Sequence, residues 1–252
     1  MQAKIIYEDE FLLVVQKPAG LATQTNKIGQ PDLESEVKNY LGCSYLGLVH
    51  RLDQPVEGLL VLGKTEKVSA QLVKQLASNA LKKRYLAMVC GEPKESQAKL
   101  VDYLYKTKDN RAEILSAEEI PDSEKTGLIQ EKGARKASLR YRVQNKWQHP
   151  LQDEKCAPGS VSGSVTVCLL DVEIDTGRFH QIRAQLSHAG LPILGDIKYG
   201  TELSKQVSRE FGVRNVALCA NRLRFRHPME NEEMSFEITP ENPAFRLEEN
   251  IS

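Results

Sequence analysis

His50-Arg51-Leu52-Asp53 puts an imidazole, a guanidinium and a carboxylate within four residues, and Gln54-Pro55-Val56-Glu57-Gly58 follows. Apolar runs flank these charges, Leu46 to Val49 before and Leu59 to Leu62 after. A short apolar run bounded by turn residues fits a buried strand, so the pattern predicts two strands joined by a loop that carries an ionic cluster. Pro55 and Gly58 supply the break, because proline fixes φ and withholds a donor while glycine tolerates positive φ. A carboxylate beside an arginine is favoured in its charged form and can serve as nucleophile or base. The same residues read equally well as an ion pair at a strand end, which contributes little.

Further basic groups gather at three places: Lys82-Lys83-Arg84 before Tyr85, Arg178 and Arg183 within Asp175-Thr176-Gly177-Arg178-Phe179-His180-Gln181-Ile182-Arg183, and Arg222, Arg224 and Arg226. On a strand, Arg222 and Arg224 fall on one face with Leu223 and Phe225 on the other. The result is a basic stripe able to meet phosphates, or an edge strand guarded by charge. The formal net charge is zero, with 34 basic and 34 acidic side chains. The whole-protein field therefore gives no pull on a polyanion, and nucleic-acid binding would rest on such local clusters.

Several classes of chemistry lose support. The five cysteines, Cys43, Cys90, Cys156, Cys168 and Cys219, are odd in number and lack a Cys-x-x-Cys pair. That argues against a disulfide framework and a zinc site. His180 and His188 share a predicted helix but lie too far apart for one metal, and no metal is expected. There is no Gly-x-Gly-x-x-Gly after a strand and no phosphate loop ending in Lys-Ser/Thr, so no nucleotide cofactor is expected. A Gly-x-Ser-x-Gly elbow is also missing, which weakens a serine hydrolase. No apolar stretch is long enough to span a bilayer, and the N-terminus lacks a secretory layout, so a cytoplasmic protein without a membrane partner is expected. The length of 252 residues is read as one main domain over 1–252.

The elements that must position the charged loop follow from patterning. Ile5 to Tyr7 and Leu12 to Val15 form a hairpin ended by Lys17-Pro18-Ala19-Gly20, and Leu33 to Leu41 is a short helix. Thr65 caps a helix running to Ala80. Lys82 to Gly91 is a strand, and Leu100 to Lys106 pairs with Ala112 to Leu115 around Lys108-Asp109-Asn110. Ser116 to Arg135 and Gln148 to Gly163 read as polar loops, with strands at Ala137 to Val143 and Val165 to Val172. A helix runs through Leu186 and Ala189, and strands follow at Val216 to Phe225 and Met234 to Ile238. Hairpins without a regular βαβ rhythm give an α+β fold, a large mainly antiparallel mixed sheet flanked by helices.

In chain order, Lys17-Pro18-Ala19-Gly20, His50-Arg51-Leu52-Asp53 with Gly58-Leu59-Leu60, Lys83-Arg84-Tyr85-Leu86-Ala87, Gly177-Arg178-Phe179-His180-Gln181-Ile182-Arg183 and Pro192-Ile193-Leu194-Gly195-Asp196 together resemble the motifs of the RluA-type pseudouridine synthases. The likeness runs from about Ile5 to Ile238. It implies the pseudouridine synthase catalytic fold and an isomerase acting on a uridine of ribosomal or transfer RNA, without cofactor, working as a monomer and not on DNA. It makes Asp53 the catalytic aspartate, Tyr85 the aromatic that packs on the target base and assists proton removal, and Arg183 the ion-pair partner of the aspartate. Arg51 would fill the space left by the extruded base, while His180 and Gln181 support the helix entry and His50 orders the loop. Lys82, Lys83, Arg178, Arg222 and Arg224 would meet phosphates. The chain starts almost at the first hairpin, so no separate N-terminal RNA-binding domain is expected.

One departure stands out. Where the family has Thr-Ser before the glycine, this chain has Val56-Glu57, and Glu57 is expected to face outward. Two other readings are a non-catalytic RNA-binding protein that keeps the fold, and a glycosidase using Asp53 and Glu57 as a carboxylate pair.

Overall fold

The computed structural model describes residues 1–27, 29–115, 127, 129–152 and 161–246. The fold is α+β, with mixed, mainly antiparallel strand pairing and few helices. The chain divides into two compact units, Met1–Tyr85 with Leu218–Asn242, and Leu86–Ala217 with Pro243–Ser252. No helix among the described residues is long and apolar enough to cross a membrane.

The first unit holds β1 (Lys4–Glu8), β2 (Leu12–Lys17), α1 (Leu33–Leu41), β3 (Gly47–Leu48), β4 (Glu57–Gly63) and α2 (Glu66–Ala77). After the second unit, the chain returns with β10 (Leu218–Arg226) and β11 (Glu233–Glu237). Strand order is β1-β2-β4-β10, with β3 on β4 and β11 on β10. Every pairing is antiparallel except β4 with β10. β2 and β4 are buried along their whole length, which explains why they read as continuous apolar runs rather than alternating ones. The expected Thr65 cap is present, its hydroxyl accepting from the Val68 N–H. Asp32 caps α1 in the same way through the Ser35 N–H. α2 presents Val68 and Leu72 to a core of Leu12, Val14, Leu59, Val61, Leu223 and Phe225. Each such side chain contributes roughly 1.5–3 kcal/mol on burial.

The second unit takes β5 (Lys82–Cys90) from the first unit partway along the strand. It adds β6 (Gln97–Lys106), β7 (Ala112–Leu115), β8 (Arg135–Gln152), β9 (Val161–Ile174), α3 (Gln181–His188) and α4 (Glu202–Glu210). Strand order here is β9-β8-β6-β7, all antiparallel. The β6–β7 hairpin turns where the sequence predicts. The loop expected over Ser116 to Arg135 lies largely outside the described residues, and within them residues 129–132 are helical rather than loop. The loop expected over Gln148 to Gly163 is corrected within them: Gln148, His149 and Pro150 pair with Thr166, Val165 and Ser164. A register shift between Pro150 and Gln152 lets the ladder tolerate the proline that had read as a breaker. α4 was not anticipated, because its buried face is Ser204, Val207 and Ser208, a stripe with almost no apolar signal.

Gly58 fixes how β4 meets its parallel neighbour. It pairs with Ala220 at φ 137°, and a Cβ there would lie 2.5 Å from the Ala220 nitrogen. Gly58→Ala combines backbone strain with overpacking, each costing about 1–3 kcal/mol. A loss of about 3 kcal/mol is expected from urea unfolding, and a loss under about 1 kcal/mol would refute the close-approach account.

Candidate active site

The loop from His50 to Val56 enters β4, and it is held by Lys17 at the end of β2 and by Gly20 and Thr23 just after it. Gly20 N–H donates to the Gln54 carbonyl at 2.8 Å, and the Gln54 amide returns a bond to the Gly20 carbonyl at 3.0 Å. Thr23 Oγ1 donates to the Leu52 carbonyl at 2.8 Å and accepts from the Leu52 N–H at 3.2 Å. Lys17, fully buried, donates through Nζ to the carbonyls of Pro18 at 2.9 Å, Leu21 at 2.6 Å and Gln54 at 3.2 Å. An ammonium has three donors, and here each finds a carbonyl. Burial lowers its pKa to about 7, against the pull of the Asp53 and Glu57 charges.

Asp53 is half-buried in this loop, and its backbone carbonyl accepts the Val56 N–H at 3.0 Å. Tyr85 is buried at the end of the first unit. Burial raises the pKa of its phenol far above the usual tyrosine value, and the Asp53 charge adds to the rise. The phenol therefore keeps its proton near neutral pH. His50 is buried and neutral, its pKa lowered by burial and then by Lys83. Its Nε2 accepts the Val61 N–H over a long 3.5 Å. Lys83, two residues before Tyr85, is partly buried with its pKa lowered to about 8 by desolvation. Lys82 and Arg51 are exposed.

Glu57 corrects an expectation. It does not face outward but is 2% exposed. Its carboxylate accepts the backbone N–H groups of Glu241 and Asn242, each at 3.1 Å. The side chain sits at the start of β4 opposite Cys219 of β10, where the returning chain brings main-chain donors. Burial pushes its carboxyl pKa up while these bonds oppose the rise. A carboxylate committed to main-chain donors is not the second member of a glycosidase pair.

In the second unit, Arg183 is 4% exposed and Asp196 2%. They form a two-pronged pair, Nε to Oδ2 at 2.7 Å and an amino group to Oδ1 at 2.9 Å. Asp196 Oδ1 also accepts the N–H groups of Lys198 at 3.0 Å and Tyr199 at 3.1 Å. Such a fork fixes the guanidinium plane. Gln181 binds across the entry to α3. Its side-chain oxygen accepts from Thr176 Oγ1 at 2.8 Å and the Arg178 N–H at 3.0 Å, and its amide donates to the Ser138 carbonyl at 3.1 Å. His180 takes the left-handed conformation at φ 51° and meets the Tyr199 hydroxyl at 2.8 Å. Arg178 Nε donates to the Lys136 carbonyl at 3.1 Å. On β10, Arg222 and Arg224 share an exposed face as predicted, but each lies against an acid of β11, Glu237 at 2.8 Å and Glu233 at 2.5 Å.

A family model described as RNA pseudouridylate synthase matches residues 11–188. The chain belongs to this family. It is an isomerase acting on RNA, of the RluA type that its motifs resemble. Among curated proteins it is 29% identical over 229 residues to tRNA pseudouridine synthase C of Vibrio cholerae, covering 89% of this chain and 86% of that one. It is 27% identical over 248 residues to Ribosomal large subunit pseudouridine synthase D of Zymomonas mobilis, covering 93% and 68%. Among solved structures its fold is similar to Human RNA Pseudouridylate Synthase Domain Containing 4, with a TM-score of 0.67, 22% identity, and coverage of 97% and 92%.

Within this family member, sequence reasoning did not single out Lys17, Thr23, Asp196 and Tyr199 as site residues. For Lys17 the available signal was a lysine closing an apolar strand immediately before a proline.

The lowered Lys17 pKa has a definite sign in the pH dependence of stability. The unfolded chain keeps this proton up to the ordinary lysine value of 10.5, whereas the folded chain releases it near 7. Between those values the unfolded state binds more protons, so this group makes stability rise with pH. In denaturant titrations between pH 7 and 9 the native chain should gain up to roughly 1.4 kcal/mol per pH unit from Lys17. Lys17→Met should be less stable and should lack that component of the slope; an unchanged slope would contradict the burial of the ammonium.

Proposed function

We propose that this chain converts one uridine of a structured RNA, transfer or ribosomal, into pseudouridine, with Asp53 as the catalytic carboxylate. The observation that supports this most is the setting of Asp53. It is half-buried in a loop tied down by Lys17, Gly20 and Thr23, and its charge reaches both the Lys17 ammonium and the Tyr85 phenol. A carboxylate held in this way is a preorganised reagent rather than a surface charge. In the reaction the bond from uracil N1 to the sugar breaks, the base turns, C5 bonds to the same sugar carbon, and the proton leaving C5 is balanced by one gained at N1. Attack by Asp53 on that sugar carbon and removal of a proton from the adjacent carbon are both open to a carboxylate in this position.

Stacked bases hide the reacting atoms, so the uridine is flipped out of its stack. Tyr85 supplies the aromatic surface for it. Because its phenol stays protonated, packing and hydrogen-bond donation suit it better than proton removal. Arg183 acts in the role that the resemblance gives it, with its guanidinium held by Asp196. Arg51, exposed at the loop, fills the space the base leaves. His50, Gln181 and His180 keep the two motifs in shape, while Lys82, Lys83 and Arg178 meet phosphates. Arg222 and Arg224 contribute less, since glutamates already offset their charge. The proposed compartment is the cytoplasm, where such RNAs are met.

Mapping pseudouridine across total RNA with and without the gene tests this. One or a few sites should vanish on deletion, return with the native chain and stay absent with Asp53→Asn. Purified Asp53→Asn should lose at least about 10²-fold in turnover, the lower range for removing such a group, while RNA affinity changes little. Loss of no site would overturn the isomerase reading at Asp53, and restoration by Asp53→Asn would favour a protein that only binds RNA.

A further inference from the structure

Cations without an acidic partner gather in the second unit rather than on the β10 stripe. Lys106, Arg111, Lys136, Arg178 and Lys198 have no carboxylate partner among the described residues. Main-chain bonds hold several of them in place. Arg111 donates to the Lys198 carbonyl, the Lys198 ammonium donates to the Asn110 carbonyl at 2.7 Å, and Arg178 is anchored on Lys136. The β6–β7 turn, the segment before α3 and the segment after Asp196 are thereby brought to one basic surface. Of the acids near these cations in sequence, Asp196 is taken by Arg183, Asp175 by Arg140 and Glu113 by the Tyr105 hydroxyl, while Asp109 lies in the turn itself.

Phe179 stands within this surface and is 39% exposed. A single exposed aromatic is ordinary on a protein surface, but this one is mounted. Its ring stacks on His180 with centroids 3.8 Å apart and planes at 21°, and His180 is pinned in its left-handed conformation by Tyr199. The Lys106 ammonium lies over the Phe179 ring 4.7 Å from the centroid. Two groups cannot share one face of a ring, so Lys106 covers the face that His180 leaves.

We propose that Phe179 is a stacking platform for an unpaired base of the RNA substrate, with Lys106 and Arg178 taking the flanking phosphates. This rests on the RNA-modifying reading above and narrows it to RNA that presents a loop, bulge or single strand, since paired bases leave no face for the ring. An exposed cation over a ring is held more weakly than a stacked base. The incoming base therefore displaces Lys106, whose ammonium is then placed to meet the backbone.

The test is the affinity of the full chain for a labelled single-stranded oligouridylate and for a fully paired RNA duplex, each titrated with salt. Phe179→Ala should weaken oligouridylate binding about 10-fold and leave duplex binding within about twofold, and Phe179→Trp should restore it. Lys106→Ala should lower the salt slope on the single strand by about 0.7. Oligouridylate affinity of Phe179→Ala within about twofold of the native chain, or an equal loss on the duplex, would overturn the platform. Turnover of Asp53→Asn reads the isomerase assignment separately, so a failure of either can be told from a failure of the other.

Discussion

A buried positive charge organises the first unit. Lys17 is enclosed by its own strand end and by the loop that carries Asp53, and each donor of its ammonium is taken by a main-chain carbonyl. Desolvating an ammonium costs several kcal/mol, roughly, unless its donors are satisfied. The carbonyls of Pro18, Leu21 and Gln54 must therefore converge on one point, which sets the curvature of both segments. The loop geometry is thus a consequence of satisfying this one cation, and the placement of Asp53 follows from the loop.

The second unit solves a similar problem with a carboxylate at the centre. Asp196 receives the Arg183 fork and two main-chain N–H groups, so both carboxylate oxygens are engaged. Arg183 lies on a helix whose Gln181, Ile182, Ala184, Gln185 and Leu186 are also buried. Buried glutamines on such a helix must find partners. Gln185 meets Asp102 at 2.6 Å, and Gln181 binds Thr176 ahead of it in the chain and the Ser138 carbonyl on β8. The two units thus hold their charged groups by the same device, main-chain groups aimed at a buried ion.

The legible part of the structure was the part written in local pattern. The hairpin of β1 and β2, α1 to the residue, the Thr65 cap, the β6–β7 turn and the face on which Arg222 and Arg224 lie all follow from spacing and turn chemistry. The elements that escaped were decided by tertiary partners. α4 buries serines rather than aliphatic residues, and β8 passes through Pro150 because a register shift accommodates it. Glu57 was expected in solvent; its partners, Glu241 and Asn242, arrive from the far end of the chain. The stripe on β10 was seen correctly, but its neutralisation by β11 depends on strand pairing.

That distance bears on the order in which the protein is assembled. The first unit is split, its early strands made at the start of synthesis and β10 and β11 only after Leu86–Ala217, the main segment of the second unit. Glu57 waits for a main-chain donor 184 residues later, and β4 waits until Cys219 and Ala220 are made for its parallel neighbour. A nascent chain on the ribosome can therefore hold all the strands of its second unit while its first is still an open sheet with an unsatisfied acid at the edge. Closure of β4 against its parallel neighbour comes late, so a chain that halts before its final strands leaves the strand that follows the Asp53 loop without that neighbour.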